Sequence, residues 1–438
     1  MGLLENASAS IYSKIYDTDI ASNYIVEDKD RNKLTVSRAQ SDSLLKSSDR
    51  TLRLNMFKEK YKYFLERKHT LAETYSSVVN KDKIMAKIKK YNSSIEMALF
   101  KDNVSVDIYN NLILTVHNNL SIMHRFINIY KKKLGVQDFH IYDFDSPIID
   151  EPPTIIHYQE GMRILDDCFK VLGADYVNDL NNGFNARWVD VYPSEGKTNL
   201  PCTGSIYGCH PYVLINYRDD ISSLIVLSHE IGHAMNTHYA FNEQPYAYAY
   251  YSPFVGEIVS QVNEVILMEY LIKKEKDTNV KVYLILKYLK LFYSKIIRQT
   301  MLAEFEKIVH ERCEKGEGIA TSDLCNTYKL LINTYFGSEL IIDYDLEMEW
   351  ATIPHIFKNP FYVYTYATGF AAAVAISAKI IEGDKEFIEA YLDFLKKGAS
   401  DYPIEVIKTL VLDLTTSETM QSAFNKFKEL LNELELLI

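Results

Sequence analysis

Apolar residues recur at spacings of three and four along much of this chain, and this periodicity predicts helices. One stripe covers residues 106–130, a second covers residues 84–99, and a third runs from residue 424 to residue 438. Each stripe is expected to form one helix with an apolar face against a core. Residues 211–217 instead alternate between apolar and polar types, which predicts a strand. The pattern therefore predicts a mainly α protein with a small β element.

A mostly buried helix is also predicted around the sequence His229-Glu230-Ile231-Gly232-His233, because the residues before it are largely apolar. Residues four apart lie above one another on a helix, so both imidazoles face one point and Glu230 lies beside it. Two neutral imidazoles can hold Zn²⁺, and the carboxylate can take a proton from the bound water. The alternative is a pair of histidines on a solvated helix face, but unpaired polar side chains are costly in a buried helix.

A catalytic zinc has three protein ligands and one open position, so a third ligand is expected downstream. Residues 252–264 predict a second helix with Pro253 at its start. Glu257 is the candidate ligand. Glu264 lies two turns later on the same face, where it can accept the other N–H of a ligand imidazole and orient the ring. Either carboxylate could instead lie at the surface, and His238 is one residue out of register with the histidine pair.

Further segments resemble the oligopeptidase F family, zinc metallopeptidases of the thimet-oligopeptidase type. They are the HEIGH core and residues 244–264, 359–370, 187–192, 207–217, 298–306 and 400–408. The resemblance implies a mainly α, zincin-like endopeptidase for short peptides, with helical lobes around a substrate channel and a small β-sheet near the zinc helix. Carried over position by position, it implies one Zn²⁺ per chain held by His229, His233 and Glu257, with Glu230 as the general base.

The C-terminal segment at residues 350–366 offers donors for the oxyanion that forms when water attacks a peptide carbonyl. By the same resemblance these donors are His355, Tyr366 and Tyr364. The chain has one residue more than the family pattern between the histidine and the tyrosines, around residues 358–360. The chain also contains 33 tyrosines, most of which must be packing residues, so either tyrosine could belong to the core instead.

The segment before the predicted strand is a further candidate. Residues 203–208 combine glycines with small polar residues, which predicts a loop that another backbone approaches closely. An exposed edge of the strand at residues 211–217 could bind an extended peptide as an additional strand. A purely structural hairpin is the alternative.

The resemblance also predicts the domain organisation. Residues 1–55 resemble the later part of the family's N-terminal helical domain, and residues 56–438 its catalytic domain, with a lobe boundary near residues 143–154. The first part of the N-terminal domain is therefore expected to be absent. This leaves an alternative function, a zinc-containing peptide-binding or scaffolding protein with weakened catalysis. Self-association could cover the apolar surface that the missing part would leave exposed.

Composition narrows the class of partner. A net charge of −11 argues against a broad nucleic-acid-binding face. The five cysteines are scattered and odd in number, which is typical of reduced thiols in a cytoplasm. Residues 1–10 lack a secretory signal, and the apolar run at residues 370–376 is too short to span a membrane. We therefore expect a cytoplasmic protein that acts on short peptides, without membrane or nucleic-acid partners.

Overall fold

A computed structural model describes residues 6–20, 23–149, 154–198, 200–410 and 412–438. The chain forms two compact units. The first comprises Met1–Lys101, Ser105–Asp150 and Ile297–Tyr364, and the second comprises Asp102–Val104, Glu151–Ile296 and Thr365–Ile438. Part of the predicted lobe boundary, residues 150–153, lies outside the described residues, as do residues 1–5 and 21–22 of the predicted N-terminal remnant. The assignment of domains stays a prediction.

Helices make up most of the first unit. They are Ala7–Lys14, Ser41–Leu45, Arg50–Glu66, Lys68–Ile88, Ser94–Phe100, Val106–Leu134, Ile141–Phe144, Arg298–Glu314, Thr321–Phe336 and Pro354–Lys358. Strands β1 (Asn23–Glu27) and β2 (Lys33–Ser37) form an antiparallel hairpin, while β3 (Phe139–His140) pairs in parallel with a strand at Leu340–Ile341. The large side chains buried in this unit include Trp350 and Phe126.

The second unit is also helical. Its helices are Tyr158–Cys168, Ala174–Asn185, Ile221–Glu243, Tyr246–Ala249, Pro253–Lys274, Thr278–Phe292, Tyr364–Glu382 (which starts at the last residue of the first unit), Lys385–Leu395, Pro403–Lys408 and Glu418–Leu437. A small sheet has the strand order β4 (Val189–Asp190), β6 (Tyr212–Leu214), β5 (Cys202–Gly204). The central strand β6 is parallel to β4 and antiparallel to β5. The predicted mainly α class with a small sheet is confirmed.

Two of the three apolar stripes form the predicted helices. The helix Val106–Leu134 buries Tyr109, Val116, Met123 and other members of its stripe. The helix Glu418–Leu437 does the same with its own apolar face. In both cases a stripe at helical spacing indicated a buried face, because side chains three and four residues apart lie on the same side of a helix.

The stripe at residues 84–99 does not form one helix, so this prediction is wrong. Two separate helices cover it, and Ser93 starts the second by accepting a hydrogen bond from the backbone N–H of Glu96. A serine in this position favours a helix start over the interior of a helix. Ile84 and Ile88 are each 57% exposed, so they also lie outside the core.

The helix Tyr364–Glu382 is longer than its apolar run at residues 370–376 suggested. Among the described residues it is the one helix whose length and composition would allow it to cross a membrane. However, 72% of its most apolar stretch is buried inside the protein, and core helices of soluble proteins have the same character.

Candidate metal centre

Two helices of the second unit carry the candidate chemistry. The histidine helix, Ile221–Glu243, begins after Asp220, whose side chain accepts a hydrogen bond from the backbone N–H of Ser223. The carboxylate helix, Pro253–Lys274, begins after Ser252 with a proline in its first turn, as the sequence predicted. The start of each helix is therefore stabilised by a side chain that satisfies an otherwise unpaired N–H group.

The two helices are in contact at Gly232. A Cβ atom on this glycine would lie 2.6 Å from the Cα atom of Ser260 and 3.1 Å from the carbonyl oxygen of Val259. Both are backbone atoms of the carboxylate helix, which cannot move aside as a flexible side chain can. Any other residue at position 232 would therefore push the helices apart. The glycine of the HEIGH sequence thus allows the close approach that brings the carboxylates towards the histidines.

This approach brings the three predicted metal ligands together. The Nε2 atoms of His229 and His233 are 3.2 Å apart, and His233 Nε2 lies 3.9 Å from Glu257 Oε1. One ligand atom from each residue falls within 4.8 Å of the others. Zinc–nitrogen bonds of 2.0–2.1 Å in a tetrahedral site place two nitrogen ligands about 3.3 Å apart, so this donor set fits a zinc ion. That these residues hold zinc stays a prediction.

Glu264 orients the first imidazole in the predicted manner. Its Oε1 atom lies 2.7 Å from His229 Nδ1, and an ionised carboxylate can only accept, so Nδ1 carries a hydrogen. In the neutral form of the ring, Nε2 then has the lone pair that a metal requires. Burial would lower the pKa of His229, but the Glu264 carboxylate outweighs burial and the pKa is raised. Burial would likewise raise the pKa of Glu264, yet the His229 ring outweighs it and the pKa is lowered.

His233 has a different environment. Burial lowers its pKa to about 3, and the electrostatic effects of His229 and Lys295 act in the same direction. The imidazole is therefore neutral near pH 7, which is the form that binds a metal. The backbone oxygen of the same residue accepts a hydrogen bond from the hydroxyl of Tyr251, at 3.1 Å. The ring thus lies on a helix turn that the following segment holds in place.

Glu230 lies next to this group and is buried. Its Oε2 atom accepts a hydrogen bond of 2.7 Å from the hydroxyl of Thr203. Burial raises the pKa of Glu230, and the bond from Thr203 and the nearby His229 partly oppose this effect. A carboxylate with a raised pKa is a stronger base than an exposed one, which suits a group that must accept a proton and later release it.

Residues 43–426 match the sequence profile of peptidase family M3. The chain belongs to peptidase family M3. It is 37% identical over 432 residues to oligopeptidase PepF of Bacillus subtilis, covering 99% of this chain and 64% of that relative. It is 35% identical over 396 residues to group B oligopeptidase PepB of Streptococcus agalactiae, covering 90% of this chain and 66% of the relative. This chain therefore spans slightly less than two thirds of either relative.

A solved structure agrees with these M3 relatives. Oligoendopeptidase-F from Enterococcus faecium superposes with a TM-score of 0.82 and 29% sequence identity, covering 100% of this chain and 72% of that one. The mainly α fold is thus that of an M3 peptidase, and the resemblance to the oligopeptidase F family is confirmed.

Two of the predicted oxyanion donors of this M3 family member lie in the first unit. His355 stacks on Tyr362 with ring centroids 6.3 Å apart, and burial, followed by the charges of Arg298 and Lys358, lowers its pKa. Tyr364 is only 2% exposed and packs against a neighbouring tyrosine ring. A neutral imidazole at His355 can donate one hydrogen bond. The catalytic roles of both residues stay predictions.

Tyr366, the third predicted donor, lies in the second unit. The Nζ atom of Lys295 is 5.8 Å from the centre of its ring. Lys295 also acts electrostatically on the pKa of His229, His233 and Glu264. Tyr366 and the metal-ligand group therefore share a cationic neighbour, which supports its assignment to the site without testing it.

Sequence reasoning missed the contacts that three residues make near the candidate centre. Gln261 donates to Glu257 Oε2 at 3.4 Å, and its position four residues after the predicted ligand on one helix was a usable signal. Lys295 lies in the π-helical turn Tyr293–Ile297, for which the sequence carries no metal-site motif. Thr203 was predicted to lie in a loop.

The loop and strand predictions before the histidine helix were wrong in their bounds. Thr203 and Gly204 lie in β5 and pair with β6, rather than in a loop. The strand predicted at residues 211–217 is shorter, Tyr212–Leu214, and it is the central strand of its sheet, paired with β4 on one side and β5 on the other. The prediction that this strand has an exposed edge for a peptide is therefore wrong. The bounds of β5 and β6 depend on which partner strand is available for pairing, and the sequence of the segment alone does not show this.

Proposed function

We propose that this chain is a zinc-dependent endopeptidase that hydrolyses short peptides. The observation that carries the proposal is the convergence of His229, His233 and Glu257 within 4.8 Å of one another, with Glu230 beside them. A site with three protein ligands leaves a position open for water, whereas structural zinc sites usually have four protein ligands. The names of the relatives, PepF and PepB, describe oligopeptidases, which supports peptides of limited length as substrates.

A zinc ion in this site supplies Lewis acidity to the water and to the scissile carbonyl. Glu230 takes the proton of the attacking water and later delivers it to the leaving amine. Glu264 holds the His229 ring through Nδ1 and would thereby leave Nε2 available to bind a metal ion. Gln261 binds one oxygen of Glu257 and leaves the other, Oε1, on the side of His233.

The tetrahedral intermediate needs hydrogen-bond donors in addition to the metal. We assign this role to His355 and Tyr366, and to Tyr364 as the further tyrosine of the same segment. The Lys295 ammonium group beside the Tyr366 ring also favours negative charge near the phenol.

Strand β5 offers a way to bind the substrate backbone. It lies at the edge of the three-stranded sheet, and Thr203 within it touches Glu230. An extended peptide that pairs with β5 would run alongside the general base. Such pairing recognises main-chain groups, so broad side-chain specificity is expected.

The test is hydrolysis of a quenched fluorescent peptide of about ten residues, which is roughly 33 Å long when extended. Cleavage should be lost with a chelator and restored by zinc, and the metal content of the purified protein should be one zinc per chain. Peptide binding without any cleavage by the zinc-loaded protein would instead support the alternative, a peptide-binding protein with weakened catalysis.

The cysteines bear on the compartment in which the proposed enzyme acts. The five cysteines are free thiols, two of them exposed, which is the usual state in a reducing compartment. We therefore place the activity in the cytoplasm.

A further inference from the structure

Thr203 of strand β5 contacts the proposed general base, Glu230, through its side-chain hydroxyl. The Thr203 hydroxyl lies 2.7 Å from Glu230 Oε2 and 3.0 Å from the carbonyl oxygen of the same residue. Its strand neighbours Cys202 and Gly204 are exposed, whereas Thr203 is partly buried. Since successive side chains of a strand point to opposite faces, Thr203 is the residue of β5 that faces the histidine helix.

The strand holds this hydroxyl in place. Thr203 pairs with Val213 in the antiparallel ladder between β5 and β6. Val213 is only 1% exposed, and its backbone N–H donates to the carbonyl of Trp188 at 2.8 Å. The threonine side chain is β-branched and therefore restricted at χ1. The hydroxyl is thus attached to a short side chain on a paired strand next to a buried core.

The side chain of Glu230 is not restrained in this way by its own helix. A helix fixes the Cα and Cβ atoms of Glu230 but leaves three side-chain torsions to choose among rotamers. The hydroxyl of Thr203 has a single hydrogen to donate. The carbonyl oxygen of Glu230 already accepts a hydrogen bond within the helix, and a carboxylate is the stronger acceptor, so we expect the hydroxyl to donate to Oε2. Oε1 then remains the oxygen that can face a water molecule.

We propose that Thr203 is a positioning residue for Glu230: its hydroxyl binds one carboxylate oxygen and thereby presents the other to the attacking water. The catalytic consequence rests on the proposed peptidase function. The geometric part, a single Glu230 rotamer held by Thr203, does not. A general base that is misplaced by about 1 Å can lower the reaction rate about a hundredfold. Loss of the Thr203 hydroxyl should therefore slow the chemical step rather than weaken substrate binding.

The experiment compares three variants of the full chain, loaded with zinc. Thr203→Val removes the hydroxyl at nearly constant shape, Thr203→Ser keeps it, and Thr334→Val is the matched control. Thr334 is exposed on a helix of the first unit, where its hydroxyl donates to the backbone oxygen of Leu330. Thr203→Val should lower kcat about tenfold to a hundredfold with KM within about twofold. Thr203→Ser should retain most of kcat, and all three should keep their metal content.

Crystal structures of the wild type and Thr203→Val provide a readout that is independent of activity. Glu230 should occupy one rotamer in the wild type and more than one, or a different one, in the variant. An unchanged kcat in Thr203→Val, equal losses in the valine and serine variants, or an unmoved Glu230 would overturn the inference. If the wild type itself shows no hydrolysis, the proposed function has failed, and the Glu230 rotamers still decide the role of Thr203.

Discussion

Two buried glutamates, one in each unit, show how differently the same residue type can behave. Glu264 of the second unit lies 2.7 Å from the ring of His229, and its pKa is lowered because that ring outweighs the effect of burial. Glu306 of the first unit is completely buried, and burial raises its pKa to about 8. Its carboxylate accepts one backbone N–H, from Phe361 at 3.0 Å.

A histidine near the second glutamate does not change this outcome. His310 lies one turn after Glu306, but its Nδ1 atom donates to the backbone oxygen of Glu306 rather than to the carboxylate, at 2.8 Å. Its Nε2 atom lies 3.3 Å from Asp82. The direction of one ring therefore decides whether a buried glutamate is an anion that orients a ligand or a neutral acid within a core.

The largest expected effect concerns a third buried carboxylate, Glu230, which must change its protonation state during the proposed reaction. Glu230→Gln should lower kcat by about 10²- to 10⁴-fold, the usual contribution of a general base. The metal content should not change, since Glu230 is not one of the three grouped ligands. Peptide hydrolysis and metal analysis on the same preparation check both parts. Full activity in this variant would remove Glu230 as the base.

The next effect is a pH dependence of stability that comes from Glu306. Its pKa of about 8 in the folded protein exceeds the ordinary glutamate value of 4.5 expected on unfolding. The contribution of Glu306 to the free energy of unfolding is therefore complete below that ordinary value and is lost as the pH rises through about 8. Because one pKa unit corresponds to about 1.4 kcal/mol, a loss of a few kcal/mol is expected.

Urea unfolding of the wild type and Glu306→Gln at several pH values from mildly acidic to mildly basic measures this loss. The glutamine side chain cannot ionise but keeps an oxygen for the Phe361 N–H, so the variant should gain stability relative to the wild type as the pH rises. Since all other groups are shared, the difference between the two proteins isolates Glu306. Parallel stability curves would show that Glu306 has an ordinary pKa.

A smaller effect, on zinc affinity, distinguishes Glu264 from Glu306. Glu264→Gln removes the charge that orients His229 and should weaken zinc affinity about tenfold to a hundredfold, as is usual for partners of metal ligands. Glu306→Gln is the matched control with the same substitution at another buried position and should leave zinc affinity unchanged. Competition with a chelator of known affinity measures both variants. Equal affinities in the two variants would mean that Glu264 does not orient the ligand.

Part of this molecule was predictable because the signal was local. The histidines of the HEIGH sequence are one helical turn apart, and the proline at residue 253 marks the start of the helix that carries Glu257 and Glu264. Each signal depends only on residues within one helix, and the structure brings these side chains together. Binding of zinc to them stays a prediction.

By itself, the sequence determined the helical class, the family resemblance and the candidate ligands, since periodicity and motif spacing are properties of neighbouring residues. Only the tertiary structure decided which residues outside those motifs reach the site, such as Thr203 on β5 and Lys295 on a π-helical turn. It also decided that Ile84 is exposed and that Glu306 is buried against a backbone N–H. The physical reason is that burial and side-chain partners arise from packing between distant segments, and no local pattern records which segments will meet.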